Sequence, residues 1–395
     1  MKKGLYSYAI FALPLSFIGI PLYIYLPEHY ASNFGISLAS IGLIILITRM
    51  FDTITDPICG YISDRLSTFR KTIICLSAVM MGLSFYALFN PVCDDKMANL
   101  IVFSVITYFL FSLLTINHLA LIGNFKDKVL ASSVRECFTA IGLLLATIIP
   151  SLLMLKYSSM QTFKMVGVGV CFLLLMCMLL FYRNVSVGIF KTKSQFQLND
   201  INNPILWKYF VVLLFNGMAI ATPSTLILFY IENFLQLEKY TGLFLATYFL
   251  SAILFIPLWQ FICNKIGAIK LFKISMVCSI GVFSLCYFVT SEDILFYLVI
   301  CLFSGIFFGI DLMAPTLITN NIIETQNIES VRSFVFSVTH FISKIAIAVV
   351  SGSLLIVLGS KSGVEYNQIL HFSYTILPCI FKIIALYILY QLKTL

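Results

Sequence analysis

The sequence Arg49-Met-Phe-Asp-Thr-Ile-Thr-Asp-Pro-Ile-Cys-Gly-Tyr-Ile-Ser-Asp-Arg65 lies in a long apolar segment that begins near Ser37. At about 100° per residue, a helix would place Arg49, Asp52 and Asp56 on one face, within roughly 60° of arc. A charge at the centre of a bilayer costs roughly 2.5–3.5 kcal/mol on insertion scales, so these side chains must face polar groups. Two carboxylates one turn apart repel each other unless a cation lies beside them. We therefore predict that Arg49 offsets one carboxylate and that the other takes a proton or a small metal cation.

The composition excludes a soluble globular protein. Of the 395 residues, 60% are hydrophobic and only 11% are charged, and the mean hydropathy is +1.01. Soluble domains average about 25% charged residues. The net charge is +8, and the basic residues lie in the short loops between the apolar segments. This distribution is not typical of a nucleic-acid-binding protein. The 11 cysteines have no metal-ligand spacing, and no ATP-binding G-x-x-x-x-G-K-[ST] motif occurs. The chain is therefore expected to be a polytopic helical membrane protein.

Twelve apolar segments are long enough to cross a membrane, since a transmembrane helix needs about 20 such residues. The expected fold class is thus an all-α membrane protein with twelve transmembrane helices. The predicted spans are 6–27, 38–62, 72–91, 99–122, 133–155, 162–182, 205–230, 241–262, 271–290, 294–318, 331–357 and 368–391.

The longest polar stretch divides these spans into two groups of six. We expect an N-terminal six-helix bundle at 1–182, a central cytoplasmic loop at 183–204 and a C-terminal six-helix bundle at 205–395. Most Lys and Arg residues of the short loops fall on the side that carries both termini. The positive-inside rule therefore predicts that both termini are cytoplasmic.

Two segments form a weak internal repeat. Gly60–Lys71 closes the second predicted helix and Gln260–Lys270 closes the eighth, and in both a polar-basic pair is followed by more basic charge. The two six-helix halves resemble the major facilitator superfamily, in which the substrate site lies near the membrane midplane between the halves. Gly60–Lys71 also resembles that superfamily's G-x-x-x-D-R-x-G-R-R signature, with Ser67 or Thr68 near the position of its internal glycine. We predict an inner-gate network that stabilises the outward-facing state, formed by Asp64, Arg65, Arg70 and Lys71.

A more specific pattern is Arg49-x-x-Asp52-x-x-x-Asp56-Pro57-x-x-Gly60, followed by Asp64-Arg65. It resembles the glycoside–pentoside–hexuronide:cation symporter family, in which paired helix-2 aspartates bind Na⁺, Li⁺ or H⁺. The resemblance implies that Asp52 and Asp56 are the cation carboxylates and that Thr55 supplies an oxygen ligand. All-oxygen ligation by carboxylates and hydroxyls suits Na⁺, a hard cation. A proton would instead be held by one carboxylate, and the residues leave this alternative open.

The resemblance extends to helices 4, 5 and 11, and departs from the family in helix 1. Sugar-transporting members have an aspartate in helix 1, where this chain has the acid-free Ala12–Phe17, and another in helix 4, near Asn117. Asp311 is a further intramembrane acid, which would pair with Lys344 or contact substrate. The residues predicted to serve substrate binding or coupling are Arg49, Asn117, Arg135 (the family's helix-5 arginine), Asp311 and Lys344 (the family's helix-11 lysine).

These observations predict a secondary active transporter, a symporter of a small solute such as a sugar or glycoside, coupled to Na⁺ or H⁺ by alternating access. The alternative is a proton-coupled carrier or exporter of a non-sugar solute. Carboxylates at i and i+4 on one helix cannot flank a substrate bond, which argues against an enzyme. A sensor would bind without flux, and the chain has no signalling domain. We expect no cofactor besides the coupling ion, and the partners are the solute, a monovalent cation and the lipid of the plasma (bacterial inner) membrane. We expect the protein to function as a monomer.

Overall fold

The computed structural model describes residues 2–185, 203–291, 293–359 and 363–392. Within these residues the chain is helical, without a strand, and its helices form twelve segments of membrane-spanning length. Eleven are apolar enough to cross a membrane by length and composition. The twelfth contains Arg49, Asp52 and Asp56 and is 28 residues long. The predicted all-α, twelve-helix fold is confirmed.

The chain divides into two compact units, the first comprising Met1–Phe196 together with Glu329–Val338. Its first span is broken into three helices, which follow one another along the chain; each of the other spans is a single long helix. The helices are α1 (Lys2–Ala9), α2 (Ala12–Ile20), α3 (Leu26–Phe34), α4 (Leu38–Arg65), α5 (Arg70–Phe89), α6 (Lys96–Ala120), α7 (Lys128–Met154) and α8 (Ser159–Asn184).

The second unit comprises Gln197–Ile328 and Thr339–Leu395. The predicted central loop at 183–204 is largely outside the described residues. One helix, α13, begins in the first unit and continues into the second, and the last span is broken near Ile376. The helices are α9 (Pro204–Phe229), α10 (Thr241–Ile266), α11 (Ala268–Leu285), α12 (Ile294–Thr325), α13 (Arg332–Gly359), α14 (Gly363–Thr375) and α15 (Leu377–Gln391).

Side-chain caps begin several of these helices. Ser37 accepts a hydrogen bond from the amide of Ser40 at the start of α4, and Asp127 accepts one from the amide of Leu130 at the start of α7. Such caps satisfy amides that have no partner within the helix. Gly35, at φ 68°, ends α3 in the left-handed conformation that glycine tolerates best. Polar residues thus mark the helix boundaries that hydropathy alone leaves vague.

Helix α12 extends beyond its predicted span, which was set at 294–318. Its last turns are more polar and are still helical, and several of their side chains form hydrogen bonds along the helix. Thr319 donates to the carbonyl of Pro315, and Thr325 donates to the carbonyl of Asn321. Because hydropathy falls at these polar residues, the sequence predicts an earlier helix end than the structure shows.

The first span of each six-helix half contains a π-helical turn, at Pro21–Tyr25 and at Tyr230–Phe234. Each π turn inserts an extra residue into the helix and shifts the register of the residues that follow. The two turns lie in corresponding spans, although they are 209 residues apart and the two segments of the sequence repeat are 200 residues apart.

Two glycines allow close helix packing. A Cβ at Gly142 in α7 would overlap the carbonyl oxygen of Leu13 in α2, and one at Gly305 in α12 would overlap that of Tyr248 in α10. A backbone oxygen cannot move aside as a flexible side chain can. Each glycine is therefore required by the neighbouring backbone, although alanine is the better helix former.

We expect Gly142→Ala and Gly305→Ala each to lower the stability by about 1–3 kcal/mol, the usual cost of overpacking. The matched controls are Gly169→Ala and Gly281→Ala, because a Cβ at either position meets no atom within 4 Å. These controls should leave the stability unchanged or raise it through helix propensity by up to about 1 kcal/mol. Thermal unfolding in detergent measures all four variants. Equal melting temperatures for the two groups would contradict the packing argument.

Candidate functional site

Helix α4 has an apolar exposed face and a charged buried face, the reverse of a helix in a water-soluble protein. Asp52 is 3% exposed, Asp56 is 0% exposed and Thr55 is 7% exposed. Apolar side chains repeat at intervals of three and four residues on the exposed face, as lipid contact requires. They are Leu43, Leu46, Ile47, Met50, Ile54, Ile58 and Ile62.

The carboxylate of Asp52 contacts a second helix. The hydroxyl of Ser112 in α6 donates a 2.7 Å hydrogen bond to Asp52 Oδ1. Thr55 Oγ1 donates to the main-chain carbonyl of Asp52 at 3.0 Å, which uses its hydrogen and leaves oxygen lone pairs as acceptors. Asp56 follows one turn later on the same buried face. The sequence-predicted ligands Asp52, Thr55 and Asp56 are thus close together along α4, and Ser112 adds an oxygen that the sequence did not identify.

The polar side-chain atoms of Asp52, Thr55, Asp56 and Ser112 are all oxygens. Carboxylate and hydroxyl oxygens suit hard cations such as Na⁺ and Li⁺, and a carboxylate also accepts a proton. The sequence predicts Arg49 on the same face as the two aspartates, but the structure exposes Arg49 while Asp52 and Asp56 are buried. A long arginine side chain can extend away from a buried helix face. Across the described residues, no group of three or more His, Cys, Asp or Glu side chains is arranged to hold a metal ion. The chemistry available at α4 is therefore the binding of a small hard cation or a proton.

Asn117 lies in α6 and is fully buried. Its Oδ1 accepts a hydrogen bond from Ser63 of α4 at 2.5 Å, and its Nδ2 donates to the carbonyl of Leu113 at 2.8 Å. The amide thereby fastens α6 to α4. The predicted role of Asn117 in substrate binding stays a prediction.

Arg135 in α7 belongs to a buried cluster that joins three helices. Its guanidinium forms an ion pair with Glu136, and its Nε donates to Nδ1 of His118 at 3.5 Å. Nδ1 must accept this bond, so the proton of the neutral imidazole is on Nε2, which bonds to the carbonyl of Tyr8 at 2.8 Å. The ring of His118 also stacks on that of Tyr8 at 4.3 Å. The arginine predicted from the resemblance is therefore held by an adjacent acid that the prediction did not include.

Asp64 connects α4 to the beginning of α13. Its two carboxylate oxygens accept hydrogen bonds from the amides of Ser333, at 2.9 Å, and Phe334, at 2.8 Å. Arg70 donates to Asp64 at 3.2 Å and to the hydroxyl of Ser333 at 2.6 Å. The residue before α13 is Val331, which has no side-chain acceptor, so a carboxylate from another helix serves as the N-terminal cap.

The four residues of the predicted inner gate differ in their surroundings. Asp64 and Arg70 form the buried pair just described. Arg65 is exposed, and its guanidinium lies over the ring of Tyr61 at 4.9 Å. The ammonium of Lys71 lies over the ring of Tyr182 at 4.6 Å. The structure thus brings two of the four together and places the other two against tyrosine rings, where cation–π contacts hold them.

In the second unit, Asp311 of α12 forms an ion pair with Lys382 of α15, with 2.5 Å between Oδ2 and Nζ. Both side chains are buried, at 5% and 7% exposure. The sequence suggests Lys344 as a partner of Asp311, whereas in the structure the partner is Lys382. Lys344, in α13, is half-buried. Lys382 lies inside the predicted span 368–391, and a basic residue within an apolar span is the one signal that the sequence gives for it.

A family model described as MFS/sugar transport protein matches residues 7–394. Among solved structures, the E. coli fucose:proton symporter FucP has a TM-score of 0.74 and 11% identity, covering 100% of this chain and 99% of that chain. A bacterial homologue of the iron transporter ferroportin, outward-facing with soaked iron, has a TM-score of 0.74 and 12% identity, covering 98% and 99%.

The proton:xylose symporter XylE bound to 6-bromo-6-deoxy-D-glucose has a TM-score of 0.72 and 13% identity, covering 98% of this chain and 94% of that chain. No curated protein sequence matches the chain. At such identities the solved structures show a common fold and nothing finer.

Proposed function

The chain belongs to the MFS/sugar transport protein family, and from this premise we propose that it is a symporter that carries a small solute together with a monovalent cation by alternating access. The observation that carries the proposal is the buried face of α4. Asp52 and Asp56 lie one turn apart on it, and Ser112 donates to Asp52. Intramembrane carboxylates are costly, so their presence on this face indicates a function.

In this proposal Asp52, Asp56 and Thr55 hold the cation, with Ser112 as a further oxygen. A cation beside the two carboxylates offsets their mutual repulsion. Its binding therefore lowers the free energy of the conformation in which Asp52 and Asp56 lie close together. The membrane potential supplies about 2.3 kcal/mol per charge at 100 mV. At 1.4 kcal/mol per tenfold, one coupled charge supports roughly 50-fold accumulation of a neutral solute.

For the solute we propose a sugar or glycoside, in line with the description of the matching family. Arg135, Asn117 and Lys344 are the proposed contacts. A second candidate is a non-sugar solute coupled to protons. It is favoured by the acid-free Ala12–Phe17 segment and by the amide at Asn117, since an amide oxygen accepts sugar hydroxyls less strongly than a carboxylate does.

The proposed location is the plasma membrane, the inner membrane in a bacterium, with both termini cytoplasmic. The charges of the short loops support this orientation. It places the α4–α5 connection, with Asp64 and Arg70, at the cytoplasmic end, as an inner gate requires. The protein would act as a monomer, without a cofactor besides its coupling ion.

The coupling ion is identified by titrating Na⁺, Li⁺ and H⁺ into purified protein and recording the intrinsic fluorescence of its 2 tryptophans. We expect a saturable response to Na⁺ or Li⁺ in the wild type. Asp52→Asn and Asp56→Asn should each weaken it at least about tenfold, since each removes a charged ligand worth at least about 1.4 kcal/mol. Asp94→Asn is the control, because Asp94 is an exposed acid of the same type.

A response that Asp52→Asn and Asp56→Asn leave unchanged would remove α4 from the cation site. A response to pH alone, lost in these variants, would select the proton-coupled alternative. The solute is then sought by uptake of glycosides into proteoliposomes under the gradient of whichever ion responds.

A further inference from the structure

The ion pair between Asp311 and Lys382 is buried, with the two side chains 5% and 7% exposed. It connects α12 to α15, and α11 packs against both of these helices. A buried pair contributes little net stability, because desolvating two charges offsets their attraction, and apolar residues of similar volume often serve as well. Stability alone therefore does not account for two ionisable groups in the middle of the second unit.

Within the part of the chain that the structure describes, only one of the two carboxylate oxygens of Asp311 accepts a hydrogen bond. Its Oδ2 bonds to Lys382, whereas Oδ1 is buried and has no hydrogen-bond partner among the described residues. Pro315, four residues later, has no N–H, so the main-chain carbonyl of Asp311 also loses its usual donor. Protonation of the carboxylate would convert one acceptor into a donor. A metal cation would instead be repelled by the ammonium group at 2.5 Å from the carboxylate.

Few other titratable groups act on this carboxylate. The phenol of Tyr248 in α10 lies within electrostatic reach of Asp311, and the thiol of Cys379 is within reach of Lys382. Tyr209 in α9 donates to the carbonyl of Pro315. The lysines of α9 and α11 lie in the first two turns of those helices. They are Lys208, Lys270 and Lys273.

We propose that Asp311 and Lys382 form a proton-binding site in the second unit, at which Asp311 takes up a proton when its ion pair with Lys382 opens. The proposal rests on the proposed function only in treating this proton as a coupling ion. While the pair is closed, the ammonium group favours the ionised carboxylate and excludes the proton. When the pair is open, burial favours the neutral acid, and the site gains the charge of the proton that Asp311 takes up. Proton occupancy is thereby linked to the separation of α12 from α15, and the linkage acts in both directions.

Infrared difference spectra between acidic and alkaline buffers test the site, with the proton itself as the probe. Purified protein in lipid should show the carbonyl stretch of a protonated carboxylic acid that titrates with pH. We expect Asp311→Asn to remove this band and Asp311→Glu to restore one. Lys382→Gln should move its midpoint upward by roughly one to three pH units, because the neighbouring positive charge is gone. Asp293→Asn, at an exposed acid just before α12, should leave the band unchanged.

The double variant Asp52→Asn/Asp56→Asn separates this proposal from the previous one. The Asp311 band should persist in it, even where the Na⁺ fluorescence response is lost. The proposal is overturned if the band survives Asp311→Asn, or if Lys382→Gln leaves the midpoint unchanged. Loss of the band only in the Asp52/Asp56 double variant would also overturn it. None of these outcomes depends on whether Na⁺ binds at α4 or on the identity of the solute.

Discussion

Replacing Asp64 with alanine is expected to destabilise the protein by about 3–5 kcal/mol, the usual cost of removing one partner of a buried charge pair. The side chains of Asp64 and Arg70 are each 2% exposed, so water does not replace the lost contacts. The variant would also leave the amides of Ser333 and Phe334 without the carboxylate that accepts from them. Unfolding by SDS titration in mixed micelles measures the change.

The matched control is Asp95→Ala. Asp95 caps the start of α6 by accepting from the amides of Met97 and Ala98, and these bonds are exposed. Its loss should cost about 1 kcal/mol, as for an ordinary helix cap. Equal losses of stability in Asp64→Ala and Asp95→Ala would contradict the argument that burial and the contact with Arg70 make Asp64 more stabilising than an ordinary helix cap. Asp64→Asn should be intermediate, since an amide oxygen still accepts but carries no charge.

Replacing Lys382 with methionine is also expected to cost about 3–5 kcal/mol, because the carboxylate of Asp311 then remains buried without its counter-charge. Methionine is unbranched and only one atom shorter than lysine, so the packing changes little. Asp311→Leu should have a comparable cost, since it leaves the ammonium group buried. The same SDS titration reports both variants.

The double variant Asp311→Leu/Lys382→Met should be close to the wild type in stability, and therefore far more stable than the sum of the single changes predicts. An apolar pair needs no desolvation and often equals or exceeds an ion pair in stability. Additive effects would show that the two residues do not interact in the folded protein. A stable double variant would also provide folded protein in which the proton site of the second unit is absent.

The sequence predicted much of α4. The positions of Asp52 and Asp56 on one helix face follow from helical periodicity, and their burial follows from the cost of a charge in lipid. Ser112 was not predicted, because a single serine in an apolar span has no local signal that distinguishes it from a packing residue. Only the packing of α6 on α4 brings its hydroxyl to Asp52.

The inner-gate prediction shows a similar limit. The motif identified Asp64 and Arg70 as charged residues at the end of a span. It could not identify the groups elsewhere in the chain that form hydrogen bonds with them. Ser333 lies 269 residues from Asp64, and both its amide and its hydroxyl take part in the network. Arg65 and Lys71 belong to the same motif. The neighbour of Arg65 is Tyr61, one turn earlier on α4, whereas the contact of Lys71 with Tyr182 depends on how α5 packs on α8.

By itself the sequence determined the membrane class, the twelve spans and the charged face of α4. These features follow from the free energy of placing each residue in lipid, which a window of about 20 residues is enough to evaluate. Tertiary structure alone decided the partners of Asp52, Asp64 and Asp311, which lie on other helices. Asp311 pairs with Lys382, 71 residues away, rather than with Lys344, because a buried charge interacts with the group that helix packing brings to it, and no local pattern encodes that contact.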